Sequence, residues 1–296
     1  MTLKRTKKSL LTKKRKMTDL KQLIKSAAAE LSRSDAPETE AYELVYHVFG
    51  ITKTDILLNP VNDLPEDKLL LFSELVKKRA TGYPLQYILG EWDFYGFTFG
   101  VSEGVLIPRN ETEQIAHEAC RFLKNKKDAV VFDICTGSGC IGLSVAANNP
   151  DCRVYLFDIS PYALNCSKEN CRRLALENVQ ILHYDMFSGF APDRLPVPDV
   201  ILSNPPYVTE DEFSTLEAEI FFEPKEAIVA EGDGLCFYRA LCEKWLPYLK
   251  NGGYFMFESG EGQPEEIIKM IDSDFDAKTE DDMYGVCRFV SGIRRS

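Results

Sequence analysis

From Arg109 onward the chain repeats one rhythm: a short apolar run, a loop, then a longer helical stretch. The runs are Val130-Val-Phe-Asp-Ile, Val154-Tyr-Leu-Phe, Val179-Gln-Ile-Leu, Val200-Ile-Leu and Tyr254-Phe-Met-Phe. Helical stretches read at 110–125, 140–149, 161–174 and 235–250. Strands that are apolar along most of their length need cover on both faces, and alternating β and α elements supply it by building a mostly parallel sheet between helices. In such α/β folds ligands bind at the carboxyl ends of the strands. The loops after each run are therefore where chemistry is expected.

Upstream the pattern differs. Leu20, Leu23, Ile24, Ala27, Ala28 and Leu31 recur at three- and four-residue spacing, as do Leu69, Leu70, Phe72, Leu75 and Val76, so a small helical domain is expected. Residues 81–108 turn aromatic and glycine-rich, with partial alternation over Trp92–Val101 that predicts a β-hairpin. The expected division is a basic leader at 1–16, a helical domain at 17–85, a linker with a hairpin at 86–108 and an α/β domain at 109–296.

Charge narrows the partners. The leader MTLKRTKKSLLTKKRK holds eight of the 35 basic residues and no acidic one, leaving 27 basic against 46 acidic residues, a net −19, for the rest. The leader lacks the apolar centre of a signal peptide and reads as a disordered tail, or as residues upstream of a true start at Met17, with a nucleic-acid arm as the alternative. A body this acidic repels a phosphate backbone, so no direct nucleic-acid partner is expected. No run approaches the ~18 apolar residues that span a membrane. The nine cysteines lack paired spacing, and His47, His117 and His183 lie apart. Reduced, packed thiols, no metal site and a cytoplasmic location follow.

The first run leads through Cys135-Thr136-Gly137-Ser138-Gly139 into Cys140-Ile-Gly-Leu-Ser-Val-Ala-Ala, a plausible helix. Glycines let the backbone approach a ligand closely, and a helix start offers free N–H groups. A tight turn without a ligand would look the same; the supporting residue is Asp158, which ends the next strand, where a carboxylate would accept from both ribose hydroxyls. Its alternative role is a helix cap before Pro161. After the third run come Asp185-Met186-Phe187, an acid for an adenine amino group with apolar neighbours for the ring. Ribose, adenine and carboxylate together fit S-adenosylmethionine better than NAD: Gly142 takes the third position of a GxGxxG cradle, but Cys135 and Ser138 lie off that pattern.

The fourth run exits through Asn204-Pro205-Pro206-Tyr207. Two prolines fix two φ angles and remove two donors, leaving carbonyls, an amide side chain and an aromatic face. The Asn204 side-chain oxygen and the Pro205 carbonyl can bind both hydrogens of a planar NH₂ so that its lone pair is free to attack a methyl carbon. Tyr207 can lie against the flat group and stabilise developing positive charge. A carboxylate would leave each acceptor without a partner, at about 1–3 kcal/mol apiece. A stiff exit turn is the bland alternative.

At these residues the chain resembles the peptide chain release factor glutamine methyltransferases (the PrmC/HemK type). The resemblance covers roughly 18–293 and rests on Tyr83-Pro-Leu-Gln-Tyr-Ile-Leu-Gly, Phe94-Tyr-Gly, Val105-Leu-Ile-Pro-Arg-Asn-Glu-Thr-Glu, Thr136-Gly-Ser-Gly-Cys-Ile, Asp158-Ile-Ser-Pro, Asn204-Pro-Pro-Tyr, Glu223-Pro and Asp282-Met-Tyr-Gly-Val-Cys-Arg. It implies a Rossmann-like fold with a seven-stranded mostly parallel sheet behind a small helical domain that helps hold the partner. It also implies methyl transfer from S-adenosylmethionine to the glutamine amide nitrogen in the Gly-Gly-Gln loop of class 1 release factors. Asn204, Pro205, Pro206 and Tyr207 would bind the glutamine; Cys135, Thr136, Gly137, Ser138, Gly139, Asp158, Asp185, Met186 and Asn204 would hold the cofactor. Two departures stand out. Cys135 replaces the first glycine of the usual Gly-Thr-Gly-Ser-Gly, where φ > 0 would be strained, and Asn110 replaces a common proline. Arg109 and Glu111 read equally as an ion pair bracing the pocket or as substrate contacts.

An adenine-N6 methyltransferase would need a target-recognition region and a basic cleft, which the acidic body does not offer. An inactive S-adenosylmethionine-binding module would be expected to have lost Asn-Pro-Pro-Tyr, which is intact. A dehydrogenase would want the phosphate cradle.

Overall fold

A computed structural model describes residues 19–58 and 64–296; the basic leader expected at 1–16 lies outside them. The chain forms two compact units, the first ending at Tyr83 and the second beginning at Pro84.

The first unit holds α1 (Leu20–Glu30), α2 (Pro37–Phe49), α3 (Lys53–Leu58) and α4 (Glu66–Ala80). The Asp19 side chain caps α1 by accepting from Lys21 N–H at 3.0 Å. Proline opens α2, and Gly50 closes it in the left-handed region at φ 70. Leu20, Ile24 and Ala27 of α1, Ala41, Leu44 and Val45 of α2, and Phe72 and Val76 of α4 are buried. Arg79 of α4 is buried as well and makes two hydrogen bonds of 2.8 Å to the Glu40 carboxylate of α2.

The second unit opens with α5 (Leu85–Leu89) and a hairpin of β1 (Glu91–Phe94) and β2 (Phe97–Gly100). There follow α6 (Glu113–Leu123), β3 (Val130–Ile134), α7 (Cys140–Asn148), β4 (Arg153–Asp158), α8 (Pro161–Arg173), β5 (Val179–His183), β6 (Val200–Ser203), α9 (Glu210–Phe213), α10 (Cys236–Lys244), β7 (Tyr254–Glu258), α11 (Pro264–Ile268), β8 (Phe275–Asp281) and β9 (Cys287–Arg294). The sheet runs β5-β4-β3-β6-β7-β9-β8, with β9 antiparallel to both its neighbours and the other pairs parallel. The five strands of the apolar rhythm are the parallel ones. The last two were implied only by the family resemblance, because β8 and β9 carry mixed polar and apolar residues.

Every residue of β3, β6 and β7 is buried. One face sends Val131, Leu202 and Met256 against Ile115 and Ala119 of α6 and Leu143 of α7; the other sends Phe132, Ile201 and Phe255 against Tyr238 and Leu241 of α10 and Ile267 of α11. Burial of each such aliphatic or aromatic side chain contributes about 1.5–3 kcal/mol. Gly142 lets α7 sit close to the sheet: a Cβ there would lie 2.2 Å from Leu156 Cδ2. Helical crossings leave β3 and β6 side by side, with Ile134 opposite Ser203, although they are far apart in sequence.

Candidate active site

The carboxyl ends of β3 and β6 are joined by a hydrogen bond of 2.6 Å from Ser203 Oγ to the Ile134 carbonyl. The glycine loop that follows Ile134 and the Asn-Pro-Pro-Tyr stretch that follows Ser203 therefore start from adjacent points at the switch of strand order. They open on a cavity of about 780 Å³ whose wall includes Thr136, Gly137, Asp158, Met186, Asn204 and Phe222.

The loop's shape is set by three left-handed residues, Cys135 at φ 61, Gly137 at φ 56 and Gly139 at φ 84. Cys135 thus adopts the strained conformation anticipated at a position where a glycine is usual, and its thiol points toward Met186, 3.7 Å from the thioether sulfur. Burial, reinforced by the Asp158 and Asp133 carboxylates, raises the Cys135 thiol well above its ordinary range, so it stays protonated. Beneath the loop, Asp133 Oδ2 accepts from Thr136 Oγ1 at 2.5 Å and from Gly142 N–H at 2.9 Å. Burial pushes its carboxyl up to about 7, against those two hydrogen bonds. Asp133 Oδ1 is buried with no hydrogen-bond partner among the described residues.

Asp158 at the end of β4 accepts from Gly137 N–H through Oδ2 and from Ser160 N–H through Oδ1, each at 2.9 Å. The helix cap before Pro161 is Ser160, not Asp158. Burial raises the Asp158 carboxyl, partly offset by these N–H groups. Asp185 is exposed, and its Oδ1 accepts from Phe187 N–H at 2.9 Å. Met186 is buried beneath it, and the Phe187 and Phe237 rings meet at 4.9 Å along the same wall.

Asn204 is half-buried, and its Nδ2 donates to Thr112 Oγ1 at 3.2 Å; Thr112 Oγ1 in turn donates to Glu258 Oε2 at 2.6 Å. No described residue donates to Asn204 Oδ1 or to the Pro205 carbonyl. Asn204 and Pro206 line the cavity, whereas Pro205 and Tyr207 are not part of its wall. Tyr207 packs against Gly260, and its carbonyl accepts from Gln263 Nε2 at 3.0 Å. Burial and then the Glu258 charge raise its hydroxyl above the ordinary range.

Arg109 pairs with Glu223 rather than with Glu111. The Glu223 carboxylate also accepts from Ile107 N–H at 2.9 Å, tying segment 105–109 to the lip at 222–224. Thr112, Glu258 and Asp133 were not singled out by sequence. Thr112 falls within a stretch read as helix, and an acid at the end of an apolar run reads as a loop residue, so only the fold reveals that Thr112 meets Glu258 and that Asp133 braces the glycine loop. Arg288, the last residue of the Asp282-Met-Tyr-Gly-Val-Cys-Arg motif, donates through Nε to Asp282 Oδ2 at 2.9 Å.

The chain was compared with known proteins. Residues 22–90 match the PrmC N-terminal domain family, and residues 119–238 the methyltransferase small domain family. A Release factor glutamine methyltransferase of Bacillus cereus is 33% identical over 86% of this chain and 90% of that protein. One of Fusobacterium nucleatum is 38% identical over 70% of this chain, the match spanning 58% of the relative's length. A solved protein-(glutamine-N5) methyltransferase (release factor-specific) from Alicyclobacillus acidocaldarius is 26% identical, covering 64% of this chain and 95% of that one, with a TM-score of 0.42.

Proposed function

The chain belongs to the release factor glutamine methyltransferase family, and from that premise we propose that it methylates the side-chain amide nitrogen of the glutamine in the Gly-Gly-Gln loop of class 1 release factors, using S-adenosylmethionine. The observation that carries this reading is the shared cavity. Asn204, whose side-chain oxygen accepts from no described residue, opens on the same space as the glycine loop and Asp158.

The residues suit the cofactor. A Cβ at Gly137 would meet no atom of the described residues within 4 Å, so the loop leaves open space where a ligand approaches. Asp158 offers acceptor oxygens to ribose hydroxyls, the Ser138–Cys140 backbone opens a helix N-terminus toward a carboxylate, and Asp185 with Met186 and Phe187 offers an acceptor beside apolar surface. When bound, S-adenosylmethionine supplies an electrophilic methyl carbon on a sulfonium.

The protein's share is orientation and charge. Asn204 Oδ1 and the Pro205 carbonyl each accept one hydrogen of the substrate amide, turning its lone pair outward and holding the nitrogen still. The same two acceptors exclude a glutamate side chain, whose oxygens bring no hydrogen. Tyr207 stands behind them, its protonated hydroxyl kept from ionising by burial, and its ring faces the positive charge that grows on nitrogen. Pro205 is buried and, like Tyr207, lies outside the cavity wall, so contact with both requires the substrate amide to reach past Asn204. The product nitrogen sheds its extra proton readily and needs no dedicated base. We assign partner recognition to the helical unit, place the reaction in the cytoplasm, and expect no nucleic acid to bind directly.

Incubation with labelled cofactor and purified release factor should label the wild-type factor and leave a loop Gln→Asn factor unlabelled. Label persisting on the Asn factor would overturn the assignment. The acidic body argues against the nucleic-acid reading, and no observation favours it.

A further inference from the structure

Thr112 occupies the residue before α6, where a threonine oxygen ordinarily accepts from the helix's own first N–H groups, yet it makes no such bond. Its hydroxyl instead bridges two other segments, donating to Glu258 Oε2 at the end of β7 and accepting from Asn204 Nδ2 after β6. Thr112 and Glu258 are each 2% exposed. A threonine hydroxyl has a single hydrogen, and an ionised carboxylate can only accept. With that hydrogen given to Glu258, Thr112 has only lone pairs left for Asn204. The two ends of the Asn204 amide are then unequal. Its nitrogen finds an acceptor in Thr112, whereas its oxygen in that place would face another oxygen with no hydrogen between them.

We propose that Thr112, polarised by Glu258, is a positioning residue that fixes the Asn204 amide with its nitrogen toward Thr112 and its oxygen toward the cavity, and so makes the site accept a substrate NH₂. This rests on the amide N-methylation proposed above. Turned the other way, Asn204 would present hydrogens to the cavity and repel the group to be methylated.

Charge state enters through Glu258. Burial pushes its carboxyl up to about 7, while Thr112, the Arg288 guanidinium and Asn204 act to lower it and Glu111 to raise it. The Tyr207 and Tyr238 hydroxyls and the Cys140 thiol also feel it, and all three are raised far enough to stay protonated near neutrality. Once Glu258 takes a proton it becomes a donor to Thr112, whose own hydrogen is released toward Asn204, and the amide is free to turn. Turnover therefore falls as pH drops through about 7.

The test measures kcat, KM for the release factor and cofactor affinity for wild type, Thr112→Val, Thr112→Ser and Glu258→Gln across pH ~6 to ~9. Thr112→Val should lower kcat roughly 10- to 100-fold with cofactor affinity within about twofold, and lose the acidic limb of the profile; Thr112→Ser should recover most of the rate and keep the limb. Should Thr112→Val fail to fold, Glu258→Gln carries the test by losing the same limb. Wild-type kcat in Thr112→Val, a serine variant as slow as the valine one, or an acidic limb that survives in Glu258→Gln overturns the proposal. A wild-type enzyme that methylates no release factor instead overturns the proposed function, and this inference with it.

Discussion

Cys135 holds a left-handed backbone, φ 61, at the start of the cofactor loop, a conformation that costs a residue with a Cβ about 1–2 kcal/mol. Glycine would relieve that cost but would surrender the buried thiol's packing against Met186, so Cys135→Gly alone is expected to be nearly neutral. The informative comparison is Gly against Ala, which share the loss of sulfur and differ in backbone freedom. At most positions alanine is the more stable; here Cys135→Gly should exceed Cys135→Ala by about 1 kcal/mol in chemical denaturation. The opposite order would mean that the loop relaxes when the thiol is removed. This strain was legible in the sequence, because only a residue out of place in a glycine-rich turn raises the question. The Thr112–Asn204 contact was not, since nothing local distinguishes a hydroxyl that caps a helix from one that reaches across the fold.

Between elements, the buried side chain of Asn170 on α8 does the joining. Its Oδ1 accepts from Gly100 N–H at 2.7 Å, and its Nδ2 donates to the Gly100 carbonyl at 3.0 Å and to the Ser138 carbonyl at 2.9 Å. One amide thereby ties the end of the hairpin to the glycine loop. Asn170→Ala strands the Gly100 N–H and the Ser138 carbonyl in a buried place, the Gly100 carbonyl keeping the Cys166 thiol at 3.2 Å, and should destabilise the second unit by about 2–4 kcal/mol. Both tryptophans, Trp92 and Trp245, belong to that unit, so their fluorescence during urea unfolding reads it out separately from the helical one. A loss under about 0.5 kcal/mol would show that water replaces the amide without penalty. The central parallel strands were legible as apolar runs because both of their faces are covered. The antiparallel pair β8 and β9 was hidden: β8 lies at the sheet edge with only Phe275 buried, so no strong pattern marks it.

Across the whole molecule, two units divide the chain: one whose described residues form four helices, tied by the Arg79–Glu40 pair, and an α/β unit that holds the cavity. The sequence motifs fall at strand ends that lie far apart along the chain and come together only through sheet order. Gly137, Asp185 and Asn204 follow β3, β5 and β6, and Asp158 ends β4. That collinearity makes a candidate site legible in sequence, while which of its residues line the cavity, as Asn204 and Pro206 do and Pro205 and Tyr207 do not, depends on the fold. The proposed transfer depends on Asn204 presenting an acceptor oxygen to a flat amide. The most direct measurement is tandem mass spectrometry of a class 1 release factor after reaction with wild type and with Asn204→Ala, alongside each enzyme's affinity for S-adenosylmethionine. The methyl should sit on the side-chain nitrogen of the loop glutamine with wild type, and should fall by at least ~100-fold with Asn204→Ala while cofactor affinity changes far less. A methyl found on any other atom, or transfer and cofactor binding lost in parallel, would contradict it.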